Sequence, residues 1–430
     1  MKNNKMSGSL ILLLFIILIL AWIGYNFLHN LSNNTDPDSV QSDSLRIKDS
    51  LQKLSQDYLR SVTSDDSANI KIIRVSDPSG MNIPFSLDNN AGKQIKRIFT
   101  GRRINIAVIG VDSRVGTSTK HADANHVISI LIDSGTIEIT SIPRDTPADA
   151  GMPDTSGQNK LTIVRSARGR DAYLEEVADI AGLDKIQYYC EVSFSQVMGI
   201  IEFLGFKDSK SYLQVLRSRT GLGGDDFQRC YNQGQFIRQN ILKNFRRLDG
   251  MIGEVLIRGG IAMVETNLST SNVKDIIAKL KGKGFPRSEA DISIRVRPPM
   301  PSNFKVYDFS DEKVVNQLKQ KIEFFNQSQY DIDSSKKPQD SVSVERILKN
   351  AIARAALDTA KKPQNSINTL KVFYEQHAWL QVPDLGKRQA LRSNISNILI
   401  NSYIKKKQPD MARKVKESID AEIEFFKNKF

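Results

Sequence analysis

The chain has 430 residues, a formal net charge of +13 and two cysteines. A chain of this length is expected to form two or three structural units with a sizeable core. The positive charge favours anionic partners such as nucleic acid, phospholipid or phosphorylated substrates. Cys190 and Cys230 form no CxxC pair, which argues against a metal–thiolate site. A disulfide between them stays open, and buried thiols are slightly favoured.

An uncharged run from Ser7 to Leu28 follows two lysines at the N-terminus, Lys2 and Lys5. At ~1.5 Å per residue it reaches roughly 33 Å, enough to cross a bilayer. The lysines place the N-terminus in the cytoplasm, and no small-residue cleavage site follows. We therefore expect residues 1–29 to be a cytoplasmic tip and an uncleaved single-pass anchor. The main domains would lie outside the cytoplasmic membrane, which argues against DNA binding.

Residues 30–100 are predicted to form a linker with a helical stalk and one short strand. Asn30–Ser44 is rich in Ser, Asn and Asp, which is typical of a linker. Apolar residues at helical spacing predict a helix over Leu45–Val62, and Lys71–Ser76 is predicted to be a strand. This region would connect the anchor to the first folded domain.

The next predicted strands carry charged residues at their C-terminal ends. Ile104–Ile109 is followed by Asp112, and two strands within 127–142 are followed by the motif PRDT at 143–146. The polar stretch TSTKHADANH between them is predicted to be a loop that offers a second carboxylate, Asp123. In open α/β sheets, ligands bind at the carboxyl ends of strands. This edge would hold two carboxylates for a cation and an arginine for an anion.

Helices and strands are predicted to alternate beyond this edge. Arg170–Ala181 is predicted to be a helix, Ile186–Phe194 a strand, and Ser195–Leu204 a helix capped by Ser195. Tyr212–Leu216 is predicted to be a further strand that ends in the sequence RSR at 217–219. Alternation along an extended segment would place both arginines on one side.

A long helix is predicted from about Phe227 to Phe245, after a glycine-rich loop. Asp226 suits the N-cap position. Arg229 and Gln233 are four residues apart and therefore share one helix face. Because a helix N-terminus favours a bound anion, these side chains and the two preceding arginines would surround one anionic ligand.

The ordered set of these segments resembles the catalytic domain of the LytR-CpsA-Psr family of envelope glycopolymer transferases. The matching pieces between Ile104 and Leu280 are IGVDSR, the aspartate of HADANH, SIPRDT, YYCEVSF, LRSR, DFQRCYNQ and VETNLS. The resemblance implies an α/β domain over 101–330 with a central mixed β-sheet flanked by helices. The N-terminal transmembrane helix also fits the arrangement of that family.

The resemblance implies a Mg²⁺-dependent pyrophosphate site. Its metal-binding aspartates fall on Asp112 and Asp123, and two carboxylates hold Mg²⁺ when waters and phosphate oxygens complete the shell. Arginine side chains bind phosphate oxygens through two parallel hydrogen bonds. The implied pyrophosphate-binding residues are Arg144, Arg217, Arg219, Arg229 and Gln233, with His121 as an added candidate. The candidate catalytic residues are Arg144, Asp145 and Asp226.

The chain departs from the family pattern around the second aspartate. The family usually has Arg-Ser-Asp-Thr where this chain has HADA at 121–124, so an arginine contact would be lost or replaced by His121 or Lys120. The next two residues, Asn125 and His126, are polar where the family is apolar. Asn232 stands where a second helix arginine is common. A zinc site built from the two histidines is disfavoured, because their spacing matches no standard helical site.

Residues 341–430 are predicted to form an all-α C-terminal module. Four helices are predicted near 343–361, 366–378, 385–406 and 410–428, broken by prolines. Short helices in this pattern resemble a tetratricopeptide-like module or a small bundle. Its role would be that of a packing appendage or of a platform for a protein partner.

The resemblance implies a phosphotransferase that acts outside a bacterial cytoplasmic membrane. It would move a glycopolymer phosphate from a polyprenyl-pyrophosphate carrier to a peptidoglycan acceptor, without nucleic acid. Apolar helix faces near 195–204, 234–245 and 251–264 would form a groove for the lipid. Two alternatives stay open: a pyrophosphatase that acts on a lipid-linked substrate, and a non-enzymatic scaffold that binds polyprenyl phosphate.

Overall fold

The computed structural model describes residues 81–93, 101–112, 115–219, 222, 226–248, 250–300, 302–330 and 343–427. The predicted anchor, linker, stalk helix and strand before residue 77 lie outside these ranges, as does most of the glycine-rich loop. Within them, no helix combines the length and the apolar character needed to cross a bilayer. The described residues belong to one compact unit, Asp77–Phe430.

A six-stranded mixed β-sheet forms the centre of the α/β part. In spatial order its strands are β6 (Glu265–Thr266), β5 (Tyr188–Ser193), β2 (Arg103–Asp112), β3 (His121–Leu131), β4 (Thr136–Ile142) and β7 (Ile292–Val296). Strand β3 runs antiparallel to both β2 and β4, whereas β5 is parallel to β2 and β7 is parallel to β4. A separate antiparallel pair joins β1 (Ser86–Asp88) to β8 (Phe304–Val306). The predicted central mixed sheet is confirmed.

Helices cover both faces of this sheet and make up the C-terminal part. They are α1 (Leu161–Ala167), α2 (Gly169–Ala181), α3 (Phe194–Phe203), α4 (Ser209–Arg217), α5 (Asp226–Asn244), α6 (Gly250–Ala262), α7 (Thr270–Lys281), α8 (Glu312–Tyr330), α9 (Val344–Asp358), α10 (Pro363–Glu375), α11 (Leu385–Lys405) and α12 (Pro409–Lys427). Helices α1 and α2 pack on one face, and α3 and α5 lie on the other. The predicted α/β class with a helical C-terminal region is confirmed.

Alternation along β2 separates a core face from a ligand-facing side. Ile109 and Val111 are buried against α1 and α2. Val108, Gly110 and Asp112 point to the opposite side, where the candidate site lies. Because successive side chains on a strand alternate between faces, one strand builds a hydrophobic core and a functional surface at once.

Several local predictions are wrong. The predicted strand Tyr212–Leu216 belongs to α4, whose N-cap, Asp208, accepts a hydrogen bond from the Ser211 amide (3.0 Å). Helix α3 starts two residues early, because Ser193 rather than Ser195 caps it. The stretch HADANH is part of β3 and not of a loop. Within the motif VETNLS, Glu265 and Thr266 form edge strand β6.

The C-terminal helices share a hydrophobic core with the α/β part. Phe203 of α3 and Met263, just past α6, belong to the same buried cluster as Trp379 and Leu380. The rings of Phe203 and Phe425 stack with centroids 3.7 Å apart. The helical C-terminal region therefore packs against two of the helices that surround the sheet.

Candidate functional site

A cavity of about 400 Å³ lies between the sheet and helices α3, α4 and α5. Its polar lining consists of Asp112, Asp123, His126, Arg144, Arg217, Arg219, Arg229 and Gln233. Its apolar lining includes Val108, Val192, Phe194, Val197, Ile200, Ile201, Leu213, Leu216, Phe236 and Ile237. One cavity thus gathers most of the predicted site residues, whereas His121, Asp145 and Asp226 do not line it.

The charged and apolar linings form two ends of the cavity. On α5, Arg229, Gln233 and Ile237 line it at four-residue spacing, so they share one helix face. Eight residues of helix span roughly 12 Å. Strand β2 runs the same way, with Asp112 at its C-terminal end and Val108 further in. Each element therefore carries charge at one end of the cavity and apolar surface at the other.

A β-bulge turns Asp123 into the cavity. The register pairs Gly110 with Ala124 and Val111 with Ala122, so Asp123 is the extra residue on β3. A bulge leaves one residue unpaired and re-aims the neighbouring side chains. As a result Asp123 and Ala124 both line the cavity, although they are consecutive, while Ala122 packs in the core on the opposite face.

The two predicted metal ligands form an acidic pair. Burial raises the pKa of the Asp112 carboxyl, the adjacent charge of Asp123 raises it further, and Arg217 opposes both effects. Two carboxylates that repel each other stabilise a bound cation. Among the described residues, no group of three or more His, Cys, Asp or Glu side chains could hold a metal. The donor set fits Mg²⁺, which takes one or two carboxylates and completes its shell with water and phosphate oxygens.

Arg144 is fixed by contacts with two carboxylates. Its Nη1 donates to Asp123 Oδ1 (2.6 Å), and its backbone N–H donates to Asp226 Oδ2 (3.1 Å). The Thr162 hydroxyl of α1 is 3.4 Å from the same Asp123 oxygen. The turn that follows β4 is therefore tied both to the acidic pair and to the start of α5.

Asp226 holds a second pair of arginines. Its Oδ1 lies 2.6 Å from Arg229 Nη2 and 3.2 Å from Arg219 Nε. Arg229 is buried and also donates from Nη2 to the backbone carbonyl of Asp123 (3.3 Å). Arg219 Nη1 lies 3.5 Å from Asp145, which is more exposed than Asp226. Asp226 thus helps to position Arg219 and Arg229 at the charged end.

Three of these arginines retain buried N–H groups that lack an acceptor. They are Nε of Arg144, Nη2 of Arg219 and Nε of Arg229, none of which has a hydrogen-bond partner within the described ranges. Buried polar groups are nearly always hydrogen-bonded, and arginine forks match the oxygens of phosphate. The described structure therefore leaves three arginine donors unsatisfied at the charged end.

Arg217 reaches the cavity from the end of α4. Its guanidinium lies 3.7 Å from the centroid of the Phe194 ring, and Nη2 is 3.8 Å from Asp112. An arginine over an aromatic face is stabilised by the ring quadrupole. Phe194 is not among the predicted site residues, because an aromatic residue at a strand end is ordinarily part of the core.

His126 and Gln233 form a bridge between the charged and apolar ends. The Gln233 amide donates to the Leu216 carbonyl (2.9 Å), so its Oε1 faces His126 Nε2 (3.2 Å) as an acceptor. Nε2 must then carry the ring proton, and Nδ1 accepts from the Ser141 hydroxyl (2.9 Å). Burial lowers the pKa of His126 to about 4, and hence the ring is neutral. The bridge fixes the C-terminal turn of α4, which carries Arg217.

The predicted substitutes for the missing family arginine point elsewhere. Lys120 pairs with Glu191 and Glu265, at 2.6 Å each. His121 Nδ1 lies 3.5 Å from the Ser166 hydroxyl. Within the described residues neither cysteine forms a disulfide; Cys230 is buried and Cys190 half-buried, in line with the favoured interpretation as thiols.

Residues 80–205 match the LytR_cpsA_psr family. The predicted resemblance is confirmed over this range, which includes Asp112, Asp123 and Arg144. Arg217, Arg219, Arg229 and Gln233 lie beyond it, and the cavity is what joins them to the matched residues. No match was found among curated proteins.

Several solved structures are similar to the chain at low identity. TagV of B. subtilis is 19% identical, with 52% of this chain and 99% of that chain covered and a TM-score of 0.37. Protein gbs0355 of Streptococcus agalactiae is 15% identical, with 56% and 91% covered and a TM-score of 0.37. The LytR-CPS2A-psr family protein YwtF (TagT), with bound octaprenyl pyrophosphate lipid, is 15% identical, with 55% and 96% covered and a TM-score of 0.31.

Proposed function

We propose, from the premise that residues 80–205 match the LytR_cpsA_psr family, that the chain is a cell-envelope glycopolymer transferase. Its donor would be a glycopolymer joined through pyrophosphate to a polyprenyl lipid. Its acceptor would be a hydroxyl group of peptidoglycan. One observation carries this proposal: a single cavity has an acidic, arginine-rich end and an apolar end. A ligand with pyrophosphate at one end and a prenyl chain at the other would match both.

The arginines of the charged end would bind the pyrophosphate. Arg144, Arg219 and Arg229 each have a buried N–H group without an acceptor in the described structure. Arg217, held over Phe194, would add a fourth positive charge. Gln233 would act through Leu216 as a positioning residue, because the amide is already engaged with His126 and the Leu216 carbonyl.

The acidic pair would hold Mg²⁺. Asp112 and Asp123 fit this ion by donor type and by their mutual repulsion. When bound, the ion would supply positive charge to the phosphate oxygens. The Asp123–Arg144 contact of 2.6 Å would keep the metal side and the arginine side of the site in register.

In the proposed reaction, an acceptor hydroxyl oxygen attacks the glycan-side phosphorus. The bond from that phosphorus to the bridging oxygen breaks, and polyprenyl phosphate leaves with the bond electrons. Asp145 is the proposed proton acceptor, since its carboxylate is half-exposed and its three ion-pair contacts are 3.5 Å or longer. Asp226 is more buried: its Oδ2 accepts from the Arg144 amide, and its Oδ1 lies within ion-pair distance of Arg219 and Arg229. Phosphoryl transfer needs mainly positioning and charge neutralisation, which these groups would provide.

The apolar end would hold the part of the prenyl chain nearest the pyrophosphate. Helices α3 and α5, which include two of the three predicted groove segments, supply Val197, Ile200 and Ile237. Helix α4 adds Leu213, whereas no residue of α6 lines the cavity. We therefore keep the groove hypothesis for α3 and α5, and we replace the third predicted segment, 251–264, by α4. The anchor at Ser7–Leu28 and a location outside the cytoplasmic membrane remain part of the proposal.

A product assay with and without acceptor tests this function. The full chain would be incubated with Mg²⁺ and a polyprenyl-pyrophosphate-linked glycan, in the presence or absence of peptidoglycan. We expect polyprenyl phosphate to appear together with glycan-modified peptidoglycan, and release to be slow without the acceptor. Equal release with water alone would identify a pyrophosphatase. Binding without release, unchanged by Arg144→Ala, would support a scaffold and refute catalysis.

A further inference from the structure

The end of helix α10 is hydrogen-bonded to the loop between β2 and β3. Gln376, which follows α10, accepts a hydrogen bond at Oε1 from the Gly116 amide (2.9 Å). Its Nε2 donates to the Thr117 carbonyl (3.0 Å). One side chain of the C-terminal module thus satisfies a backbone donor and a backbone acceptor of a loop 259 residues away in sequence.

The turn at the end of α10, residues 375–377, is also attached to the end of β5 and the start of α3. The Ser193 hydroxyl donates to the Gln376 carbonyl (3.0 Å), and Gln196 Nε2 donates to the Glu375 carbonyl (3.1 Å). Ser193 is the strand partner of Val111, the residue before Asp112. The turn is therefore linked to the end of β2, which carries Asp112, in two ways: through β5 and through the β2–β3 loop.

A buried carboxylate holds this turn in place. His377 adopts a left-handed conformation (φ 47°), and its Nδ1 lies 2.7 Å from Glu422 Oε2. Trp379 Nε1 and Arg392 Nη1 donate to the other oxygen of Glu422, at 2.9 and 3.1 Å. Burial alone would raise the pKa of Glu422, but these three partners hold the pKa below its ordinary value. A buried charge with every oxygen engaged resists displacement, because breaking one contact leaves the charge uncompensated.

Close packing on the loop adds to these hydrogen bonds. Gly116 has φ +81°, and a Cβ there would lie 2.7 Å from the ring of Phe373 on α10. Val115 packs against the C-terminal core. Only glycine permits both this backbone conformation and this approach of the ring.

The loop held in this way connects the two carboxylates of the candidate metal site. Asp112 ends β2, and Asp123 is the bulged residue near the start of β3. The two like charges repel each other in the absence of a cation. The β2–β3 ladder already brings them together, since Asp112 pairs with His121 and Val111 with Ala122. These pairs lie at the end of the ladder next to the loop, so a restrained loop would keep them from fraying under that repulsion.

We infer that the C-terminal module is a positioning element of this site, in which Gln376 holds the β2–β3 loop so that Asp112 and Asp123 stay together. Gln376 is a positioning residue, since it touches neither aspartate and acts through the loop backbone. The identity of the ion rests on the proposed function, whereas the restraint of the loop does not. The module is therefore more than a packing appendage.

The test compares two glutamines of the same interface in the full chain. Gln376→Ala removes both loop hydrogen bonds. Gln381→Ala is the matched control, because Gln381 Nε2 donates across the interface to the Ser195 hydroxyl (2.8 Å) without touching the loop. A third variant, Gln376→Glu, keeps the acceptor for Gly116 but places a carboxylate oxygen against the Thr117 carbonyl. Calorimetry would measure inorganic pyrophosphate binding across a Mg²⁺ series, and hydrogen exchange would follow residues 115–122.

Gln376→Ala should raise the Mg²⁺ concentration for half-maximal pyrophosphate binding by about tenfold, as expected from the loss of one or two hydrogen bonds. Gln376→Glu should fall between this variant and the unsubstituted chain. Amide exchange at 115–122 should accelerate in both variants. Gln376→Ala and Gln381→Ala should lower the unfolding midpoint to a similar extent. Gln381→Ala, however, should leave the Mg²⁺ requirement and the amide exchange at 115–122 unchanged.

Equal Mg²⁺ requirements and equal loop exchange in Gln376→Ala and Gln381→Ala would overturn the inference. If the unsubstituted chain binds no pyrophosphate, the proposed function fails. The hydrogen-exchange comparison alone then tests whether Gln376 restrains the β2–β3 loop. Fast exchange confined to the Gln376 variants would then still support it. Unchanged exchange would refute it.

Discussion

The two ends of the cavity are built in different ways, although the same strand and the same helix contribute to both. The apolar end is made largely by the faces of neighbouring helices, α3, α4 and α5, and other apolar side chains of suitable size would maintain it. The charged end depends on pairs that join distant segments, such as Asp123 with Arg144 and Arg144 with Asp226. The lipid end should therefore tolerate substitution, whereas the charged end should fail when one member of a pair is removed.

The largest effect is expected at Arg144. Arg144→Lys keeps a positive charge but loses the planar fork that binds Asp123 and would bind phosphate oxygens. We expect turnover of a lipid-pyrophosphate donor to fall about a thousandfold, the upper range for one oxyanion donor. Arg168→Lys is the control, because Arg168 pairs at the surface with Asp149. Similar rates for the two variants would contradict the importance of the fork.

The buried ring of His126, which bridges the two ends, should make the free energy of unfolding depend on pH. His126 is buried and its pKa is lowered to about 4 from an ordinary value of 6.5. The unfolded chain therefore binds more protons between these values, and the free energy of unfolding should fall as pH decreases from 6.5 towards 4. A difference of this size corresponds to about 3 kcal/mol.

Unfolding measured at several pH values checks this expectation. His126→Phe should reduce the slope between pH 6.5 and 4 by the contribution of one proton, whereas His121→Phe in the same strand should leave it unchanged. An undiminished slope in His126→Phe would assign the effect to other groups and contradict the neutral, buried ring.

At the apolar end, Ile200→Trp should separate lipid binding from anion binding. Ile200 lines the cavity, and the larger ring would displace roughly two methylene groups of a bound chain. At ~0.8 kcal/mol per methylene, affinity for a prenyl pyrophosphate should fall by more than tenfold. Affinity for inorganic pyrophosphate should stay the same when both are measured by calorimetry. An equal loss for both ligands would mean that the two ends are not independent.

The smallest effect is expected for Asp112→Asn without metal. Burial and the charge of Asp123 raise the pKa of Asp112, so its ionised form opposes folding at neutral pH. The substitution should increase the free energy of unfolding by less than about 1 kcal/mol, because the carboxyl is partly exposed. The same change should weaken Mg²⁺-dependent pyrophosphate binding. A less stable variant would show that the acidic pair is not strained.

The regular elements of this chain could largely be predicted from its sequence. Helix α11 occupies Leu385–Lys405, one residue short of its predicted end. It could be predicted because Asp384 is a suitable N-cap and apolar residues recur at helical spacing. The error at α4 arose because a segment of nine residues, SKSYLQVLR, fits both alternation and helical spacing. Its N-cap, Asp208, and the buried Tyr212, Val215 and Leu216 favour the helix.

The site was harder to predict, since its geometry depends on pairings between distant residues. The family resemblance selected Asp112, Asp123 and Arg144, but the bulge that turns Asp123 into the cavity arises from strand register. The His126–Gln233 contact joins residues 107 apart in sequence. A sequence read in isolation gives no signal for either feature, although the polar pair Asn125 and His126 marks the position.

A photo-crosslinking experiment tests most directly whether one cavity holds both parts of a lipid pyrophosphate. The probe would be a polyprenyl pyrophosphate with a photoreactive group on the prenyl chain near the pyrophosphate, applied to the full chain with Mg²⁺. We predict crosslinks within Val197–Ile201, at Leu213 or at Ile237, reduced by Ile200→Trp and by excess inorganic pyrophosphate. Crosslinks confined to exposed surfaces, such as Met251 on α6, would contradict the proposed mode of lipid binding.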